Sequence, residues 1–171
     1  IAEGTQKVTH YLENDRPDLL VVLGDRYEML AGAMAALGFN IPVAHIHGGA
    51  VTEGAIDELV RHALTKMSHF HMVSCEEYAQ RLRNMGEESW RVKVTGAPGL
   101  DDLYDMADMD RVNLFNEVGL DSKKPTLLVC YHPVTVEVED TDKQIGSLIA
   151  ALKATEHQLI LTYPNNDHGS S

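Results

Sequence analysis

Asp18-Leu19-Leu20-Val21-Val22-Leu23-Gly24-Asp25-Arg26 is a short, nearly continuous apolar run stopped by a glycine and two charges. Such a run is the pattern of a parallel strand buried on both faces. A helical stretch follows, with Met29, Leu30, Ala33, Met34 and Leu37 on one stripe and Gly38 and Asn40 as a stop signal. Residues 41–46 read as the next strand, ended by Gly48-Gly49. From Ala55 the period is helical again, with Ile56, Leu59, Val60, Ala63, Leu64 and Met67 able to face a sheet.

The same alternation runs on in both directions. Residues 69–73 read as a third strand, 76–85 as a helix and 91–94 as a fourth strand. Between 101 and 121 the pattern loosens and carries six aspartates. It restarts at residues 125–130, with a helix expected near 143–155 and a strand at 158–162. Strands alternating with helices at this spacing imply an α/β fold of parallel βαβ units with right-handed crossovers. Two units are expected, 1–106 and 107–171. The chain opens without Met on a helix-like stretch and stops at Gly169-Ser170-Ser171 after a strand and turn, which reads as an internal segment of a longer protein.

With 44% hydrophobic residues, the 171-residue chain has enough apolar side chain for a packed core. Its formal net charge of -12 and its lack of any Lys/Arg run argue against nucleic acid or an anionic membrane as partner. A nucleotide is compatible with that charge, because local dipoles and one or two cations can hold a phosphate. No apolar run reaches membrane-span length and no signal peptide is visible, so a cytoplasmic protein is expected. Cys75 and Cys130 fall in different elements and read as reduced thiols, Cys130 in the core.

Ligands of open parallel sheets bind beyond the carboxyl ends of the strands. There the sequence places Gly24-Asp25-Arg26, then His45, His47 and Gly48-Gly49, then His132-Pro133, then Pro164-Asn165-Asn166-Asp167. Asp25 has two compatible readings, a helix N-cap and an acid/base group. Gly48-Gly49 is either a tight turn or a close approach of backbone to ligand. Glu53, Asp57 and Arg61 are spaced by four, as are Glu58 and His62. On a helix they form either a solvated face with Asp57–Arg61 and Glu58–His62 pairs, or an acid/base cluster at the same mouth as Asp25 and His47. His45/His47 and His69/His71 are His-x-His pairs, each on one face of its strand. They can be metal ligands with Asp25, or hydrogen-bonded histidines that position neighbouring groups. Trp90 is expected to cover the start of the fourth strand, and His10 and His157 are given no role.

Taken in order, these segments resemble the hydrolysing UDP-N-acetylglucosamine 2-epimerases of sialic and nonulosonic acid synthesis. The matching stretches are Gly24-Asp25-Arg26, Ile41-Pro42-Val43-Ala44-His45-Ile46-His47-Gly48-Gly49, Thr52-Glu53-Gly54-Ala55-Ile56-Asp57-Glu58, Arg61-His62 and Lys66-Met67-Ser68-His69-Phe70-His71. Thr95-Gly96-Ala97-Pro98-Gly99-Leu100-Asp101, His132-Pro133-Val134-Thr135 and Pro164-Asn165-Asn166-Asp167-His168-Gly169-Ser170 continue the match. The resemblance implies two Rossmann-like units of the glycosyltransferase-B type, here incomplete, with no cofactor and with self-association. It implies UDP-N-acetylglucosamine or a related UDP-HexNAc as substrate, a UDP-linked 2,4-diacetamido-6-deoxy sugar suiting the same residues, with loss of UDP to give a glycal and hydration to N-acetylmannosamine or its analogue.

On the matching positions, the resemblance makes Asp25, Glu53, Asp57, Glu58 and His132 catalytic. It gives substrate contacts to His45, His47, Gly48, Gly49, Arg61, His62, His69, His71, Asn165, Asp167 and Ser170, and no residue to a metal. Some members of the family carry Glu at the position of His47 and many at that of Ala50, which shifts the expected base toward Asp25, Glu53 and Asp57. Two readings compete: a metal-dependent hydrolase built on the His-x-His pairs, and a non-catalytic UDP-sugar-binding module.

Overall fold

A computed structural model describes residues 1–53, 55–103, 110–132 and 138–163 of the chain. The chain divides into two units, Ile1–Asp101 and Asp102–Ser171. In the first unit α1 (Ala2–Asn14) leads into β1 (Leu20–Leu23), α2 (Tyr27–Gly38), β2 (Val43–Ile46) and α3 (Asp57–Met67). Then come β3 (Phe70–Val73), α4 (Glu76–Asn84) and β4 (Val92–Val94).

The four strands form one parallel sheet in the order β1-β2-β3-β4. Strands added one after another in a single direction through right-handed crossovers place their helices on one face. The packing agrees. Val22 of β1 and Val43 of β2 meet Ala33, Ala35 and Ala36 of α2 and Val60 and Leu64 of α3, while Leu12 joins from α1. A second cluster joins Val73 and Val92 to Ala79 and Leu82 of α4. The alanines let α2 lie close to the sheet, since a helix approaches only as near as its largest inward side chain allows.

Register explains the burial pattern. Val22 lies opposite His45, His45 opposite His71, and His71 opposite Val92. This row faces the helices and is buried throughout. The alternate row does not follow the sequence expectation. Val21 is 54% and Leu23 53% exposed, so β1 is buried on one face only. The apolar run predicted two covered faces, but the described helices cover one.

The second unit contains α5 (Arg111–Glu117), β5 (Thr126–Val129), α6 (Thr141–Lys153) and β6 (Gln158–Leu161). β5 and β6 pair in parallel, with Thr126 opposite Gln158 and Val129 opposite Leu161. α5 falls inside the stretch expected to loosen. Its start is fixed by the Asp110 carboxylate, which accepts the Val112 N–H at 3.2 Å. The boundary expected between 106 and 107 lies outside the described residues. Cys130 is exposed rather than in the core, and Cys75 is partly buried; both are free thiols. Trp90 sits just ahead of β4 and meets Phe70 edge-on, with ring centroids 6.2 Å apart, yet remains exposed.

Candidate functional site

The β1–α2 turn and the β2–α3 segment lie at the carboxyl edge of the first sheet, and Arg61 joins them. Arg61 is on α3, only 1% exposed, and helical side chains lean toward the N-terminus of their helix. That lean carries its guanidinium back to the mouth. Its Nε donates to Asp25 Oδ2 at 3.1 Å, and Nη2 donates to the same oxygen and to Thr52 Oγ1. Nη1 donates to the Ala50 carbonyl at 2.8 Å and to Glu58 Oε2 at 2.6 Å. A guanidinium has five N–H groups. All five are used.

These bonds decide between the readings of several residues. Asp25 is not an N-cap: that position of α2 is Arg26, and the Asp25 carboxylate faces Arg61 instead. Nor does the polar side of α3 form a solvated face there. The expected Asp57–Arg61 pair is replaced by Asp25–Arg61 and Glu58–Arg61, because Arg61 turns inward. The expected Glu58–His62 pair is present at 3.2 Å, with His62 partly exposed.

Glu58 Oε2 also accepts the Thr52 N–H at 2.9 Å. Partial burial acts to raise the Glu58 pKa, but the Thr52 N–H and the charges of Arg61 and His62 outweigh it, and the net shift is downward. Glu58 is therefore a held anion and a weak base. Asp57 begins α3 and Glu53 lies in the turn before it, partly buried and exposed respectively. The positive end of the α3 dipole favours negative charge at that point.

The Gly-Gly turn is shaped by the chain itself. A Cβ on Gly49, whose φ is +80°, would lie 2.6 Å from the Tyr78 carbonyl oxygen. Arg81 of α4 donates to the Gly49 carbonyl. A Cβ on Gly48 would lie 3.2 Å from the His45 ring. The close approach is thus to α4 and to His45. His47 follows β2 in a left-handed conformation, φ +69°, its N–H donating to the Met72 carbonyl at 3.0 Å. Such a conformation is strained for a residue with a Cβ.

The four histidines of the His-x-His pairs do not gather at the mouth. His45 is fully buried, with Nε2 2.8 Å from the Gly24 carbonyl. His71 is fully buried, with Nε2 3.2 Å from Glu87 Oε2. Both side chains were expected against substrate and instead lie beneath the helices, because their register position is the inward row. Burial comes first in lowering both imidazole pKa values, so both rings are neutral at neutral pH. His69 precedes β3, at the opposite edge of the sheet from the mouth, where its Nδ1 accepts the Val43 N–H at 3.2 Å. Among the described residues no group of three or more His, Cys, Asp or Glu side chains is arranged to hold a metal ion.

In the second unit His132 follows β5 and is exposed, its Nε2 3.3 Å from Cys130 Sγ. Pro133, Asn165, Asp167 and Ser170 lie outside the described residues. Arg81, Tyr78, Thr52 and the Ala50 carbonyl belong to the site framework although sequence reasoning gave them no role. Thr52 opens the Thr52–Glu58 stretch that matches the family. Nothing in the local pattern of α4 marked Arg81.

The carboxyl edge of the first parallel sheet thus carries a buried arginine that holds two carboxylates. The UDP-N-acetylglucosamine 2-epimerase family model matches residues 1–171, and the chain belongs to that family. It is 45% identical over 162 residues to the UDP-N,N'-diacetylbacillosamine 2-epimerase (hydrolyzing) of Legionella pneumophila, covering 94% of this chain and 42% of that protein. It is 40% identical to the GDP/UDP-N,N'-diacetylbacillosamine 2-epimerase (hydrolyzing) of Campylobacter jejuni, covering 91% and 41%. The chain thus spans about two fifths of the length of these relatives.

Among solved structures, UDP-GlcNAc 2-epimerase from Methanocaldococcus jannaschii in complex with UDP-GlcNAc and UDP aligns with a TM-score of 0.79 at 19% identity. That alignment covers 96% of this chain and 47% of that one. The likeness establishes the fold, an α/β architecture of the glycosyltransferase-B type. Among the described residues no helix is long and apolar enough to cross a membrane.

Proposed function

We propose that the intact protein is a hydrolysing UDP-sugar 2-epimerase, and that its substrate is a UDP-linked 2,4-diacetamido sugar. The observation that carries the reading is the Arg61 clamp at the strand ends. It holds Asp25 and Glu58 in place and leaves Asp25 Oδ1 without a partner among the described residues. Two relatives at 45% and 40% identity are named for diacetylbacillosamine, whereas the UDP-N-acetylglucosamine 2-epimerase of Neisseria meningitidis serogroup B is 32% identical. That ordering favours the diacetamido substrate over UDP-GlcNAc.

The reaction balances as an elimination followed by a hydration. A base takes the proton from C2 of the sugar, the C1–O bond breaks, and UDP leaves with the electron pair as a glycal forms. Water then adds across the double bond, its hydroxyl to C1 and a proton to C2 on the opposite face. Asp25, Asp57 and Glu53 are the candidates for proton transfer, since Glu58 is engaged with Arg61, Thr52 and His62. The resemblance also assigns His132, exposed after β5 in the second unit, a part in the chemistry. The same reading makes the protein a self-associating cytoplasmic enzyme.

The test is an NMR assay of the intact protein with both UDP-sugars, following free UDP and the released sugar. Release of UDP with a 2-epimeric free diacetamido sugar is expected, with the larger kcat/KM for that substrate. Binding without UDP release makes it a sensor. A product still attached to UDP makes it a non-hydrolysing epimerase.

A further inference from the structure

The inward row Val22–His45–His71–Val92 sets two imidazoles between two valines in the layer beneath the helices. Burying polar rings there costs free energy unless they are hydrogen-bonded. Each ring spends Nε2 on a specific acceptor, and each leaves Nδ1 buried with no partner among the described residues. A carbonyl can only accept, so His45 holds its proton on Nε2 and presents it to Gly24. Gly24 immediately precedes Asp25. The His45 ring also occupies the space a Gly48 side chain would need. One ring therefore touches both turns of the mouth.

Behind it, Glu87 is the acceptor for His71. Its side chain is only 8% exposed and is held by Lys66 Nζ at 2.6 Å as well as by His71. Burial acts to raise the Glu87 pKa, but Lys66 and His71 overcome it, so the group stays an anion and accepts from both. A carboxylate that only accepts fixes the Nε2–H tautomer of His71.

We propose that Glu87 is a positioning residue for the mouth: it fixes the tautomer and orientation of His71, which backs His45, which in turn holds Gly24 and so sets where Asp25 points. Glu87 lies near the amino edge of the sheet, in the segment between α4 and β4, and its hydrogen bonds among the described residues go to Lys66, His71 and Leu82. Its effect on Asp25 runs through the two rings. The inference rests on the 2-epimerase reading only for its kinetic consequence.

The test compares the intact protein with Glu87→Gln, both labelled with 15N, with thermal melting as the check of folding. In the unsubstituted protein both His45 and His71 are expected as neutral Nε2–H rings. A Gln amide can donate or accept, so in Glu87→Gln the His71 tautomer is expected to become mixed. The His45 ring and the Gly24 and Asp25 amide resonances should shift with it. For UDP release, kcat is expected to fall about 10- to 100-fold with KM nearly unchanged. An Nδ1–H tautomer at His71 in the unsubstituted protein overturns the proposal without any variant. So does a folded Glu87→Gln protein with unmoved His45, Gly24 and Asp25 resonances, or with moved resonances and full kcat. If the unsubstituted protein releases no UDP, the reaction reading fails, and the resonances alone decide the positioning role.

Discussion

The buried guanidinium of Arg61 grips Oδ2 of Asp25 with two of its donors, across 36 residues of sequence. The remaining donors reach Glu58, Thr52 and the Ala50 carbonyl, so one side chain sets the spacing of three segments. Lysine offers three donors from one point and cannot reproduce this fork. Arg61→Lys is therefore expected to lose about 2–3 kcal/mol of stability in urea denaturation, the carboxylates recovering part of their hydration at the open mouth. An unchanged denaturation midpoint would show that the clamp contributes nothing.

Asp25→Asn keeps the shape of that contact and removes the charge. In the intact protein it is expected to cut UDP release by about a hundredfold or more, the usual scale for loss of a positioned acid or base. Melting should move far less than for Arg61→Lys. Normal UDP release by this variant would take Asp25 out of the chemistry.

Gly24 and Gly49 have nearly the same φ, +81° and +80°, but different surroundings. Nothing lies within 4 Å of a Cβ on Gly24, whereas one on Gly49 meets the Tyr78 carbonyl at 2.6 Å. Gly24→Ala is expected to cost about 1 kcal/mol from conformation alone. Gly49→Ala adds a backbone clash and is expected to cost at least about 2 kcal/mol more. Paired thermal melts test the ordering, and equal losses would contradict the packing at α4.

His45 and His71 are held neutral by burial, with pKa values below the ordinary 6.5. His45 also feels His71, Asp25 and Arg61, and His71 feels Glu87, Arg91 and Lys66. When the folded pKa is depressed, the unfolded chain takes up protons first as pH falls. Their contribution to stability is then complete above the ordinary imidazole value and is lost below it. The melting temperature is expected to drop between about pH 7 and pH 5, and His71→Gln should flatten that slope. Glu58 and Glu87, also depressed, lose their contribution only at lower pH, below the ordinary 4.5. A melting temperature that rises on acidification would reverse the assignment.

Much of the site was legible before folding. Gly24-Asp25, His47, Gly48-Gly49 and the start of α3 read as the strand-end mouth, and they sit there. The Glu58–His62 pair followed from helical spacing alone and is present. What failed was partner choice for Arg61. Spacing of four along a helix offered Asp57, but the turn after β1 brings Asp25 to the same guanidinium. No one-dimensional pattern encodes that meeting.

By itself, the sequence determined the alternation of strand and helix, the location of the mouth and the family, because these depend on local periodicity and on residues near one another along the chain. Tertiary structure alone decided which face of β1 is covered, that His45 and His71 share one buried row, and that Arg61 and Glu87 each tie together separate segments. The physical reason is that burial and hydrogen-bond partnership are set by strand register and helix placement. The apolar run around Val21 is compatible with one covered face or two, and a histidine at period two is compatible with substrate or core. Only the packed sheet selects between them.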